Sequence, residues 1–137
     1  MVHRIHRRAF HVLGLCIAVL LVVSFSLRNA ATDSTVGRAF REEREGWIFV
    51  HIQGEPRARG YQYGFLVAPE IDDFITTLKV YLQQNTTKDW EFYRQAAKEI
   101  FLPKLEREYL QEPQGIAAGL QAAGYQYDVL DIITENG

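Results

Sequence analysis

Residues 13–23 form a nearly unbroken aliphatic run, and no formally charged residue stands between Ala9 and Leu27. Such a run would consume most of the core of a small domain, so it divides this 137-residue chain in two. Ahead of it lie Arg4, Arg7 and Arg8, joined by His3 and His6 when protonated; Arg28 follows it, and residues 1–28 hold no acid. A basic head followed by an apolar middle is the form of a secretory signal. Ser24-Phe25-Ser26 and Asn29-Ala30-Ala31 are the candidate cleavage points, and neither is a clean Ala-x-Ala. The run is long for a signal and slightly short for a membrane span. A cleaved signal, an uncleaved anchor seated in the membrane through residues 9–27, and a buried core helix therefore all stay open. The leading arginines predict an N-terminus held inside, with residue 29 onward on the non-cytoplasmic side, secreted or anchored. Leu15, just before Cys16, is too bulky for a lipoprotein site.

Beyond the run the balance turns acidic: residues 29–137 carry 11 Lys+Arg against 17 Asp+Glu, a formal −6. A chain of this sign repels phosphates, and no basic run interleaved with aromatics appears, which argues against nucleic-acid binding. Cys16 is the sole cysteine, so nothing downstream forms a disulfide, a thiolate metal site or a cysteine nucleophile. No His, Cys or carboxylate cluster stands at metal-ligand spacing either, and neither a metal nor a cofactor is expected.

Residues 29–46 read as a polar linker, with a helical turn through residues 38–44. Residues 47–52 (Trp-Ile-Phe-Val-His-Ile) give the best strand signal in the chain, ended by Gly54 and Pro56. Their near-continuous apolarity predicts burial on both faces. His51 is expected at a strand end, half-exposed. Gly54, Gly60 and Gly64 lack a phosphate loop's spacing and its Gly-Lys-Ser/Thr. They predict a tight strand-to-helix turn, with Gly60 and Gly64 on one helix face so that the helix lies close on the sheet.

Helical periodicity follows from Tyr61. Ile71, Phe74, Ile75, Leu78 and Leu82 form a core stripe, and Pro69 kinks or restarts the helix. After a polar break at 83–88, which holds a glycosylation acceptor at Asn85-Thr86-Thr87, a second helix is expected from about Asp89, with Thr87 or Asp89 as its cap. Its apolar face is Trp90, Tyr93, Ala97, Ile100, Phe101 and Leu105. Pro113 suits the first turn of a third, small-sided helix over residues 114–123, stopped by Gly124. Asp128, with Asp131 three residues on, predicts a capping box for a short helix over residues 129–134. Asn136-Gly137 is a turn signal that should lead into another strand.

Three blocks of residues resemble a known family. Ile52-Gln53-Gly54-Glu55-Pro56, followed by Arg59-Gly60-Tyr61-Gln62-Tyr63-Gly64, looks like its opening signature: a strand, a Gly-x-Pro turn and an Arg-Gly-x-x-x-Gly helix start. Gln114-Gly115-Ile116-Ala117-Ala118-Gly119 resembles its Gly-Ile-Ala-x-Gly, and residues 128–137, with Asn136, resemble the approach to its nucleophile strand. The family is the autoproteolytic acyltransferase/hydrolase group typified by acyl-CoA:6-aminopenicillanic acid acyltransferase, with phospholipase B-like proteins as relatives. The resemblance covers residues 47–137.

It implies an α+β fold, the N-terminal portion of an αββα N-terminal-nucleophile hydrolase sandwich, mostly helical in this stretch. It further implies a precursor that cuts itself before a cysteine, whose thiolate attacks an amide or ester carbonyl while its own α-amino group serves as base. This sequence has no such cysteine after Cys16. No catalytic residue is therefore carried over, and Gly54, Arg59, Gly60, Gly64, Gly115, Gly119 and Asn136 are expected to act as scaffold.

The chain is thus expected to be the inactive front part of an exported enzyme for a small-molecule amide or ester substrate, partnered by polypeptide beyond residue 137. It would be either a truncated sequence or the N-terminal product of self-cleavage. The alternative is a small membrane-anchored, non-catalytic helical interaction domain, which suits the absence of any self-contained catalytic set. Asp72-Asp73, the nearest acidic pair, would lie about 100° apart on a helix and reads as a solvated edge.

Overall fold

The computed structural model describes residues 36–136. The apolar run, Cys16, the first part of the expected linker and Gly137 lie outside these residues. The described part is mostly helical with one two-stranded sheet, an α+β arrangement. Strands β1 (Phe40–Arg44) and β2 (Trp47–His51) pair antiparallel, with Phe40 opposite His51 and Arg44 opposite Trp47. Five helices follow: α1 (Pro56–Leu66), α2 (Ala68–Thr86), α3 (Trp90–Ala96), α4 (Arg107–Ala122) and α5 (Val129–Glu135). No described helix is long and apolar enough to cross a membrane.

The hairpin corrects two expectations. Residues 40–44 were expected in the linker's helical turn but form β1. The reason is local: Glu45 and Gly46 both take positive φ, 50° and 81°, the pattern of the two-residue turn whose twist matches a right-handed strand pair. Strand β2 is also not buried on both faces. Trp47 is 73% exposed and Phe49 52%, with Ile48 and Phe40 exposed too. Alternation explains which side faces the helices. Val50 packs against the core, and its partner Arg41 pairs with Glu70 of α2. Phe40, Trp47, Phe49 and His51 share the opposite face, where Phe40 stacks on His51 at 5.3 Å and Arg44 lies over the Phe49 ring. No layer among the described residues covers that aromatic face.

The helix starts are set by proline and acid. Pro56 and Pro69 occupy the first turns of α1 and α2, where a missing N–H costs nothing. Of the two expected caps for α3, Asp89 fills the role, accepting from Phe92 N at 2.9 Å. The capping box at Asp128 is complete: its carboxylate accepts from Leu130 and Asp131 N, and Asp131 accepts from Asp128 N at 3.0 Å. Helix α4 departs from expectation, beginning at Arg107 with Pro113 inside it rather than at its start. The end of α4 is as anticipated. Gly124, at φ +100°, lets Gly124 N reach Gln121 O and Tyr125 N reach Leu120 O, the paired bonds of a left-handed helix stop. Between α3 and α4 the chain loosens into a π turn at Ala97–Phe101, then a 3-10 turn at Leu102–Lys104 around Pro103.

The core gathers Val67, Ala68, Ile71 and Ile75 from the start of α2, Ala117 and Leu120 from α4, then Tyr127 and Ile132. Ile75, Leu120 and Ile132 are its largest wholly buried side chains. Phe74, expected in the stripe, is exposed, because the stripe narrows to Ile71 and Ile75 where α2 meets α4 and α5.

Candidate functional site

Five of the seven singled-out residues, Arg59, Gly60, Gly64, Gly115 and Gly119, converge where α1 crosses α4, and Gly54 stands just ahead of α1. A Cβ on Gly60 would meet the carbonyl of Glu112, on Gly64 that of Ile116, on Gly115 that of Arg57 and on Gly119 that of Tyr61, each closer than 3 Å. The contacts advance by four residues on both helices together, so α1 and α4 run parallel. Each glycine therefore presents a Cα–H to a carbonyl of the other helix, and the backbones touch directly. Two Gly-x-x-x-Gly faces interlocked in this way are the close-approach device known from helix pairs in membranes. The expectation that Gly60 and Gly64 seat their helix on the sheet is thereby corrected: the surface they meet is α4.

Arg59 fastens the crossing. It donates to Gly54 O at 3.0 Å and reaches Glu112 Oε2 at 3.3 Å. Gln62, only 5% exposed, accepts from Gln53 N at 2.8 Å and ties the end of the hairpin to α1. Asn136 stands apart, its Nδ2 donating to Ile132 O at the end of α5. None of these groups is a nucleophile or a general base. Among the described residues no group of three or more His, Cys, Asp or Glu could hold a metal ion.

A second cluster was beyond sequence reasoning. Arg94 of α3 forks onto both oxygens of Asp128 at 2.9 Å and reaches Asp131 Oδ1 at 2.6 Å; Trp90 Nε1 also donates to Asp131, at 2.8 Å. Asp131 is 7% exposed, so its charge needs these partners. The Arg94 fork, with the cap's backbone N–H groups, pulls the Asp128 carboxyl down to about 2, and Arg94 itself is raised chiefly by Asp128. Asp128 and Asp131 were legible as a cap, but Arg94, 34 residues from Asp128, carried no sequence signal. Nearby, Tyr127 donates to Asp72 Oδ1 at 2.6 Å; burial, then this bond, push the phenol up to about 12. The two members of the acidic pair part company here, since Asp72 holds Tyr127 while Asp73 is exposed. Lys79 Nζ sits over both the Trp90 and Tyr127 rings, at 5.4 and 5.1 Å. Every charge in this cluster is answered, which marks it as a fastening of α3 to α2 and α5.

A hollow of about 430 Å³ lies between the turns after α3 and helices α4 and α5, with Phe101, Leu105, Tyr109, Ile116 and Ile133 in its walls. At the end of α5, burial lifts the Glu135 carboxyl to about 7, and its Oε2 has no hydrogen-bond partner.

No protein-family model matches the chain, and neither a curated protein nor a solved structure matches it.

Proposed function

We propose that residues 47–137 are the N-terminal part of an exported cysteine N-terminal-nucleophile amidohydrolase or acyltransferase, acting on a small-molecule amide or ester. The reading rests on the resemblance at residues 52–64, 114–119 and 128–137, and one structural observation carries it furthest. The hairpin turns Phe40, Trp47 and Phe49 outward, and no other described strand pairs with it. An aromatic face on a two-stranded sheet is poorly suited to water. It fits the edge of a larger layered sheet that would lie over it. On this reading the interlocked α1–α4 pair is scaffold, and the nucleophile is a cysteine beyond residue 137.

The test is mass spectrometry of the native gene product. Peptides continuing past residue 137, including one with a free N-terminal cysteine, support the reading. A native product whose C-terminus is Gly137, with no companion chain, overturns it.

The second reading, a membrane-anchored non-catalytic interaction domain, is favoured by a different observation. Helices α2 to α5 supply a core around Ile75, Leu120 and Ile132 with only Val50 contributed by the hairpin. A core of that kind needs no further strands.

A further inference from the structure

The first turn of α1 is electrostatically odd. A helix N-terminus favours acids, yet past the capping Glu55 the first turn here holds Arg57 and Arg59 and no acid. Arg59 is accounted for by Gly54 O and Glu112, whereas Arg57 has only the amide oxygen of Gln114, at 3.2 Å. The reason it reaches Gln114 is the parallel glycine crossing, which brings the starts of α1 and α4 to the same end of the helix pair. Arg57 thus faces a stripe on α4 at positions 107, 110, 111 and 114, spaced i, i+3, i+4, i+7.

These residues, Arg57, Arg107, Leu110, Gln111 and Gln114, line a hollow of about 430 Å³. No acid lines it, and among the described residues neither arginine has a carboxylate partner. In a segment of formal charge −6, two unanswered arginines in one concavity are conspicuous. Because Gln114 spends its amide oxygen on Arg57, its NH₂ is left to donate, alongside two guanidinium forks.

We propose that this hollow binds a small tetrahedral oxyanion, a phosphate or sulfate group, held between the guanidinium groups of Arg57 and Arg107 with the amide of Gln114 as a further donor. Both arginines are side chains of first helical turns, where the helix dipoles favour an anion; Glu55 at the start of α1 and Glu106 and Glu108 at the start of α4 offset part of that field, so the guanidinium forks carry the site.

The experiment follows the arginine Nε–Hε signals of the full chain by NMR while inorganic phosphate replaces chloride at constant ionic strength. Saturable shifts at Arg57 and Arg107, and none at Arg44, are expected. Arg57→Gln and Arg107→Gln should each weaken binding at least about tenfold, roughly 1.4 kcal/mol. Arg44→Gln should leave it unchanged, because Arg44 already pairs with Glu42. Arg57→Lys, which keeps the charge but loses the fork, should fall between. A parallel titration with glycerol phosphate identifies the source, the tighter ligand showing whether the group arrives free or carried. Linear or absent shifts with both ligands, or equal weakening by Arg44→Gln, would overturn the proposal. Circular dichroism of each variant confirms that α1 and α4 persist, so lost binding is not lost fold.

Discussion

Replacing Gly119 with alanine sets two physical effects of opposite sign against each other. Helix propensity alone predicts a gain of about 1 kcal/mol, because alanine is the best helix former and glycine among the poorest. The crossing predicts a loss. A Cβ at position 119 would stand 2.7 Å from Phe65 N and 3.0 Å from the Gly64 carbonyl carbon, with the Tyr61 carbonyl oxygen nearer still. All three are backbone atoms of α1, so no side chain can swing aside. Ordinary contact begins near 3.4 Å, and the helices must therefore part by more than half an ångström. Parting opens the neighbouring contacts at Gly60, Gly64 and Gly115. Cα–H···O contacts are worth about 0.5–1 kcal/mol each. Overpacking strain adds about 1–3 kcal/mol. Set against the propensity gain, the net expectation is a loss of about 2–3 kcal/mol. Urea unfolding of the full chain, followed by far-ultraviolet circular dichroism, measures it. A Gly119→Ala protein as stable as the parent, or more so, would show that the crossing yields readily and that the small residues there reflect nothing but low helix propensity.

Three further outcomes follow from the same structure. Arg94→Ala should cost about 3 kcal/mol in urea unfolding, because it strips the nearly buried Asp131 of its counter-charge and leaves it only Trp90 and its own capping bonds; a loss below about 1 kcal/mol would count against the network. Glu135 has a folded pKa of about 7 against an ordinary 4.5, so its ionisation opposes folding: its share of stability is complete below about pH 4.5 and is lost as pH rises through 7. Thermal midpoints should fall between pH 5 and 8, and Glu135→Gln should flatten that slope; an unchanged slope would place the titration elsewhere. Pro113→Ala restores a donor for the Tyr109 carbonyl within α4 and should stabilise by about 2 kcal/mol after allowing for the looser unfolded chain; a loss would show the bend to be needed by its neighbours.

What could be read in advance was whatever a short stretch decides for itself. The Asp128 capping box and the Gly124 stop are settled within a few residues and stand as expected; at Asp89 and Pro69 the structure takes one of the two courses the sequence allows, a cap at Asp89 and a helix restarted at α2. Strand β1 was missed because its residues, Phe-Arg-Glu-Glu-Arg, are polar; the signal lay in Glu45-Gly46, a two-residue turn immediately before the clear strand. The start of α4 is not a local matter: the usual address of proline is the first turn, but packing of Gly115, Ala117 and Gly119 on their neighbours holds the helix through Pro113. Sequence spacing placed Gly60 and Gly64 on one face, and the small-sided character of residues 115–123 was equally plain. That the two faces answer each other across about fifty residues is a tertiary fact, as is the reach of Arg94 to Asp128.

The glycine crossing and the arginine hollow are linked by geometry. Were α1 and α4 separated by ordinary side chains, their axes would stand 8–10 Å apart, as packed helices usually do. Arg57 would then lie farther from the stripe that begins at Arg107. Backbone contact removes that gap and brings two helix starts, each with an arginine in its first turn, to the rim of one hollow. Parallel dipoles at this range repel, so the arrangement carries an electrostatic cost that close packing offsets and a bound anion would relieve. Parting the helices by Gly119→Ala should accordingly weaken phosphate binding together with stability, even though position 119 is three turns from Arg107. If stability fell while phosphate shifts at Arg57 and Arg107 stayed the same, the hollow would have to be held by the helix starts alone, and the crossing would be scaffold with no bearing on the site.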